Sequence, residues 1–357
     1  MWLEMILLVI LTALVMAQTE SDAVTRLHVT DGNWQNCELA CQCDEKSKAI
    51  LCSGASLKFV PLGIPEDTET LTLSGNNFAV IGQEFRFLSK LKSINLQKSR
   101  INQLSEKTFE NTTSLVSMDL SHNYFTGVGI EDTNSHNDKY NFTNTIPSEA
   151  FSKLDKLAIM DLTFCHISFI GKQSFVGLGS LQKLDLSFNY LTDLTGHAFD
   201  QLTSVKVLNI HANQIHSIGS DIFERNAQLE QLDLAKNHIK WFPADLLRAS
   251  GGVLRELILE HNEIVAVKDL NLDYLVSLHV LDLSINRIET VKYGDFTMHM
   301  DKLQQLKLSK NEITTIDEGV FSHLKKLSQL DLSYNRLRVC WSHARQNYNF
   351  DYSVSMN

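Results

Sequence analysis

One spacing constrains this chain more than its length does. An Asn, or a small residue in its place, recurs at Asn76, Ser99, Asn123, Cys165, Asn189, Asn213, Asn237, Asn262, Asn286, Asn311 and Asn335, at intervals of 23, 24, 42, 24, 24, 24, 25, 24, 25 and 24 residues. Each slot sits in the same phrase, written in full as Leu229-Glu230-Gln231-Leu232-Asp233-Leu234-Ala235-Lys236-Asn237-His238-Ile239, or L-x-x-L-x-L-x-x-N-x-I. A fixed period of this length means stacked supersecondary units, each burying its apolar side against its neighbours. For 357 residues, length alone suggests two or three domains, but repetition makes one elongated domain the expectation.

Alternation within the phrase turns the Leu residues inward and the intervening residues outward on a short strand. For the repeat above, that places Gln231, Asp233, Ala235 and Lys236 outside. Two further columns follow the slot. An apolar residue stands five positions on, at Ile81, Leu104, Val128, Ile170, Leu194, Ile218, Phe242, Val267, Val291 and Ile316. Phe or Leu stands ten on, as at Phe109, Phe175, Phe199, Phe223, Leu247, Leu272, Phe296 and Phe321. The interval of 42 holds one ordinary repeat of 24 plus 18 residues. With Val128 in its column, the surplus falls at 129–146, which is polar, Asn-rich and without period, and so reads as a loop.

Ahead of the repeats, residues 1–17 read as a secretory signal, with an apolar run from Met5 to Val15 and small residues before a cut. That run is shorter than the roughly 18 apolar residues a membrane span needs, and no later stretch reaches that length, so no transmembrane helix is expected. Residues 18–36 read as a flexible leader. Cys37, Cys41, Cys43 and Cys52 then crowd into 37–66. Behind a signal they point to disulfides in an oxidising compartment, and the absence of C-x2-C pairs argues against zinc. Their spacing leaves three connectivities open. Such a cross-linked cap would cover the unpaired strand edge of the first repeat.

The repeated phrase and the Cys cluster together resemble the extracellular leucine-rich repeat proteins, among them Slit, the small leucine-rich proteoglycans and Toll-like receptor ectodomains. The resemblance covers about residues 37–337. It implies an α/β solenoid, a horseshoe whose concave parallel β-sheet has about 11 strands and whose convex side is irregular or short-helical. It also implies disulfides Cys37–Cys43 and Cys41–Cys52, and it places the slot amide inside the turn, satisfying backbone groups of its own and adjacent repeats. Ser99 keeps part of that capacity. Cys165 keeps little and reads as a free structural thiol. The repeats run over 67–339, and residues 340–357 form a polar tail without a second cysteine cluster. Cys340 has no obvious partner, which makes it a candidate intermolecular thiol and a disulfide-linked dimer an expectation.

The outward column of the concave sheet carries Asp161, Asp185, Asn209, Asp233 and Asp282, with Glu260, Phe164, Phe188 and His211 close by, and these form the candidate binding surface. The plain alternative is that the carboxylates accept local hydrogen bonds on a solvated face. Phe164, Phe188 and Ile285 are expected to be exposed, as binding centres require, or else to pack on the adjacent strand. Ten steps of about 4.8 Å make a sheet roughly 50 Å across, which suits a macromolecule better than a metabolite. Asn111 and Asn141 open N-x-T glycosylation acceptors. No nucleophile elbow, phosphate loop or H-E-x-x-H occurs, so the chain is not read as an enzyme. Asp132, Asn134, His136 and Asp138 lack the Gly and terminal Glu of a calcium loop, and no metal or cofactor is expected. A net charge of -10 argues against nucleic acid. The expected function is a secreted, extracellular protein that binds another protein or a glycan-bearing macromolecule in innate immune recognition or cell signalling. A matrix or adhesion protein of the proteoglycan kind, or a truncated receptor ectodomain, are the alternatives.

Overall fold

Eleven three-residue strands, one per repeat, carry the x-L-x centre of each phrase, around its middle Leu position, into a single parallel sheet. They are Thr70–Thr72, Ser93–Asn95, Ser117–Asp119, Ile159–Asp161, Lys183–Asp185, Val207–Asn209, Gln231–Asp233, Glu256–Ile258, Val280–Asp282, Gln305–Lys307 and Gln329–Asp331. The structure is a computed structural model; it describes Trp34, residues 41–125, Ile146, residues 148–337 and the backbone of 353–355. The signal, Cys37, Cys340, Asn141 and the loop residues Asp132, Asn134, His136 and Asp138 lie outside the described residues.

The register is strict. Leu71, Ile94, Met118, Met160, Leu184, Leu208, Leu232, Leu257, Leu281, Leu306 and Leu330 pair in one unbroken row. A one-residue slip would turn this row to solvent, so burial of one face fixes the pairing. Behind it the Phe column forms a spine: Phe85 and Phe109 stack at 5.7 Å, Phe175 and Phe199 at 6.0 Å, and Phe199 and Phe223 at 5.9 Å. The return side is mostly turns, with three pairs of two-residue strands and the 3-10 turns Ser148–Phe151, Val267–Leu270 and Leu272–Tyr274. Helix in the described residues is confined to such turns, because a period of 24 leaves too few residues for a full helix after the strand and its turn.

The spine also places the insertion. Phe109 and Phe151 stack at 6.2 Å although 42 residues separate them. Ile146, five before Phe151 as Leu104 is five before Phe109, is 3% exposed and belongs to the core. It therefore holds the column position that the sequence assigns to Val128, which lies outside the described residues. The surplus residues thus fall between Phe125 and Ile146, a few positions earlier than 129–146, and Ile146 is part of the repeat.

Both ends of the sheet are covered. At the N-terminal end an antiparallel hairpin, Gln42–Asp44 with Ala49–Leu51, adds to Thr70–Thr72, and Cys41 and Cys52 are joined by a disulfide. Cys43 is also disulfide-bonded. Trp34 donates its indole N–H to Asp67 at 3.0 Å, and Lys48 reaches Asp67 at 2.7 Å. At the other end Ser353–Ser355, within the polar tail, pairs in parallel with Gln329–Asp331. Among the described residues no helix is long and apolar enough to cross a membrane.

Candidate binding face

The turn that ends each strand is built around the Asn slot. The Asn123 Nδ2 donates to Leu120 O at 2.7 Å and to Leu96 O at 2.9 Å, one carbonyl in its own repeat and one in the repeat before. Its Oδ1 accepts from Ser99 N at 3.1 Å and Ile101 N at 2.9 Å. The same ladder continues to Asn335. Ser99 Oγ replaces one donor, to Leu73 O at 2.9 Å. Cys165 does more than its side chain suggested: Sγ lies 3.1 Å from Leu120 O, the thiol is buried and free, and burial pushes its pKa up to about 12. A thiol so protonated is inert.

To bring the amide inward, the residue before each slot takes a left-handed backbone. The angle φ is +57° at His122, +54° at Phe164, +57° at Phe188, +52° at Ala212, +53° at Lys236, +57° at His261, +55° at Ile285, +55° at Lys310 and +57° at Tyr334. Non-Gly residues avoid this region, and β-branched Ile least tolerates it. Inter-repeat bonds over-determine it, since these residues donate their N–H to the next repeat, as Phe164 to Ser187 O at 3.2 Å and Phe188 to His211 O at 2.9 Å.

The side chains so displayed form rows across the repeats. His122 and Phe164 stack at 4.6 Å and 8°, Phe164 and Phe188 at 4.4 Å and 9°, and Phe188 meets His211 tilted at 5.3 Å. Phe164 is 41% and Phe188 43% exposed. The two expectations for these rings, exposure and packing on a neighbour, thus hold together. Ile285 is only half-exposed. A second row stands one residue after the slot: Tyr124 and His166 stack at 4.1 Å, and His166 and Tyr190 are tilted at 5.3 Å. Reading the residue after each Asn as a column would have revealed this row in the sequence.

The acid column is partly structural. In Asp185, Oδ1 accepts from Ser187 N at 2.9 Å and Ser187 Oγ at 2.6 Å, and Asp161 and Asp233 accept Thr163 N and Ala235 N at 2.9 Å. This is the local hydrogen bonding of the plain alternative. It turns the residue after the last Leu inward, so Ala235 is 1% exposed and does not face outward. Asp282 is likewise withdrawn: it is buried, held by Ser284 N and Oγ, and Lys307 Nζ covers it at 2.9 Å. A carboxylate so enclosed serves the sheet, and Asp282 does not join the open face.

The others do come together. Asn209 Nδ2 donates to Asp185 Oδ2 at 2.9 Å, and His211 Nδ1 lies 3.9 Å from Asp233 Oδ1. Burial, reinforced by Asp119 and Asp185, raises the Asp161 pKa. Burial likewise raises that of Asp233, with Asp185 and half-buried Glu260 adding to it and His211 opposing. Among the described residues no Lys or Arg pairs with Asp119, Asp161 or Asp185. Elsewhere, Asn111 is exposed with its Nδ2 on Arg86 O at 3.0 Å.

A family profile described as leucine rich repeat matches residues 67–125, 139–191, 180–239 and 294–337, more than half of the chain. The leucine-rich repeat-containing protein 3 of Danio rerio is 33% identical over 96 residues, which are 26% of this chain and 36% of that protein. The chain thus spans well under two thirds of that relative. Among solved structures, an internalin of Listeria monocytogenes aligns with TM-score 0.61 and 19% identity over 91% of this chain and 89% of its own. The protein of a TLR13-ssRNA13 complex aligns with TM-score 0.64 and 21% identity over 78% and 41%. At these identities the solved structures share the fold.

Proposed function

The chain belongs to the leucine-rich repeat family, and from that premise we propose that it is a secreted, non-enzymatic protein that binds a macromolecular partner through its concave face, in innate immune recognition or cell signalling. The observation that carries this reading is the pair of aromatic rows beside the Asn ladder. Large rings that keep about two fifths of their surface in solvent, as Phe164 and Phe188 do, form the exposed aromatic surface that binding centres use. The disulfide of Cys41 with Cys52 supports an oxidising compartment. A disulfide-linked dimer through Cys340 remains part of the proposal, as do glycans on Asn111 and Asn141. The net charge of -10 and the unpaired acids disfavour nucleic acid, and a single-stranded RNA partner, as in the TLR13 complex, is the contrary outcome to watch for.

Affinity capture from native extracellular fluid tests the reading, comparing the native chain with one carrying Asp185→Ser, Phe188→Asn and Asp233→Asn, none of which creates an N-x-S/T acceptor. The expected result is a set of partners lost from the triple variant. Capture of the same partners by both would move the site off the concave face.

A further inference from the structure

The ring geometry says more than that a surface is sticky. Phe164 has His122 against one face at 4.6 Å and Phe188 against the other at 4.4 Å, both within 9° of parallel. Its faces are therefore taken, and what it turns to solvent is a ring edge. Sugars and nucleobases bind aromatic platforms through a face, and so do cations, because the negative end of the ring quadrupole lies there. A ring edge carries the positive end and accepts an apolar side chain or the face of a partner aromatic. Cations find their place three residues earlier on each strand, where Asp119, Asp161 and Asp185 stand in register and lack Lys or Arg partners among the described residues.

We propose that the two ring rows on the repeats of Asn123, Cys165 and Asn189, with the acid row beside them, dock an extended protein segment that carries Lys or Arg next to apolar side chains. This rests on the concave-face reading and gives its partner a chemistry. The apolar side chains lie on the ring edges, the cations meet the acid row, and the quadrupole keeps the two apart. The backbone before the slots, left-handed along the array, decides how these rings can be replaced. His122, Phe164, Phe188 and His166 all have φ between +54° and +58°, where Asn or Gly would be at ease and Phe is not. Stability alone would favour Asn at these positions.

That preference makes the test clean, because Phe164→Asn and Phe188→Asn relieve strain and leave the fold intact. Asp161→Ser and Asp185→Ser remove the charge, leave a side-chain oxygen beside Thr163 N and Ser187 N, and, unlike Asn, create no N-x-S/T acceptor on a secreted chain. Titration calorimetry on the full secreted chain would use a short synthetic peptide alternating Lys with Leu, one alternating Lys with Ser, a neutral oligosaccharide and an oligouridine. The expected result is binding of the Lys–Leu peptide, weakened by at least about tenfold in the Lys–Ser peptide and in each variant pair, with every variant still melting cooperatively. Equal affinity for the Lys–Ser peptide, indifference to the variants, or Phe164-dependent binding of the sugar or the RNA would overturn the proposal. Failure of the Lys–Leu peptide to bind would also overturn it. In that case the capture experiment decides separately whether the concave face is used.

Discussion

The same two columns flank the Asn ladder along the whole array, and they hold opposite chemistry in its two halves. Around Cys165 they are rings: His122, Phe164 and Phe188 before the slot, Tyr124, His166 and Tyr190 after it. From Asn237 onward charges predominate: Lys236, His261 and Lys310 before, interrupted by Ile285 and Tyr334, and His238, Glu263, Arg287, Glu312 and Arg336 after. The backbone does not distinguish them, since φ is +53° at Lys236 and +54° at Phe164. In the charged half the columns largely satisfy themselves. Glu263 lies 3.0 Å from His238, 3.5 Å from Arg287 and 3.8 Å from Lys240, and Arg336 lies 2.6 Å from Glu312. The hydrogen bond from His238, then the Arg287 and Lys240 charges, hold the Glu263 carboxyl below its ordinary range against a burial effect. One half is a finished surface, and the other leaves its acids without cationic partners and its rings half in water.

The largest effect should be blind to this difference. Asn189 bonds Leu162 O and Leu186 O at 2.9 Å and Cys165 N and Ile167 N at 3.0 Å. Asn237 bonds Ile210 O at 3.1 Å, and Leu234 O and Ile215 N at 3.0 Å. Alanine at either position leaves three or four buried backbone groups without partners, at about 1–3 kcal/mol each. Asn189→Ala and Asn237→Ala should each cost about 3 kcal/mol or more in denaturant unfolding. A large loss in only one half would show that the halves do not share one scaffold.

That scaffold was legible because its letters serve a single purpose and repeat. The Leu row, the Phe spine and the Asn slot each occupy a fixed count, so period alone finds them. The display positions were less so. The column after the slot carries no shared property over the array, and Tyr124, His166 and Tyr190 stand out only once it is read down the repeats. Val128 misled because it is apolar and at the right count, whereas the distance to Phe151 identifies Ile146, since both flank the same turn. The burial of Asp282 depends on Lys307, its register partner one repeat on, a contact across strands that a reading along the chain passes over. Ser353–Ser355 is a three-residue edge strand, too short to show a period.

The next effect separates the halves by packing. Asn in place of Lys236 relieves a left-handed residue and loses no stacked ring, so Lys236→Asn should gain about 0.5–1 kcal/mol. Phe188→Asn gains the same relief but gives up its stack with Phe164, worth about 0.5–1.5 kcal/mol, and should come out near neutral. Thermal melts that ranked Phe188→Asn as strongly destabilising would make the ring row a structural element and remove the contrast.

The smallest effect is electrostatic and turns on sign. Asp161 has a raised folded pKa, through burial first and then Asp119 and Asp185. Its charge costs stability above that folded value, and the cost is relieved as pH falls through it. In chain produced without N-glycosylation, since the change creates an N-x-T acceptor, Asp161→Asn should therefore raise the melting midpoint at neutral pH, and the gain should vanish on acidification through and below the ordinary carboxylate range. Asp331 is the counterpart in the charged half. Burial acts to raise its pKa, but the Ser333 hydroxyl and N–H, the Ser309 hydroxyl and the Lys307 charge outweigh it and leave the pKa lowered. A lowered carboxyl contributes stability that is present above the unfolded value and lost as pH falls through the folded one. Asp331→Asn, which also creates an N-x-S acceptor and is produced in the same way, should thus lower the midpoint at neutral pH, with the loss fading in acid. Midpoints that moved in the same direction for both variants would mean that the acid row around Asp161 is compensated after all, and with it would go the attraction for a cationic partner.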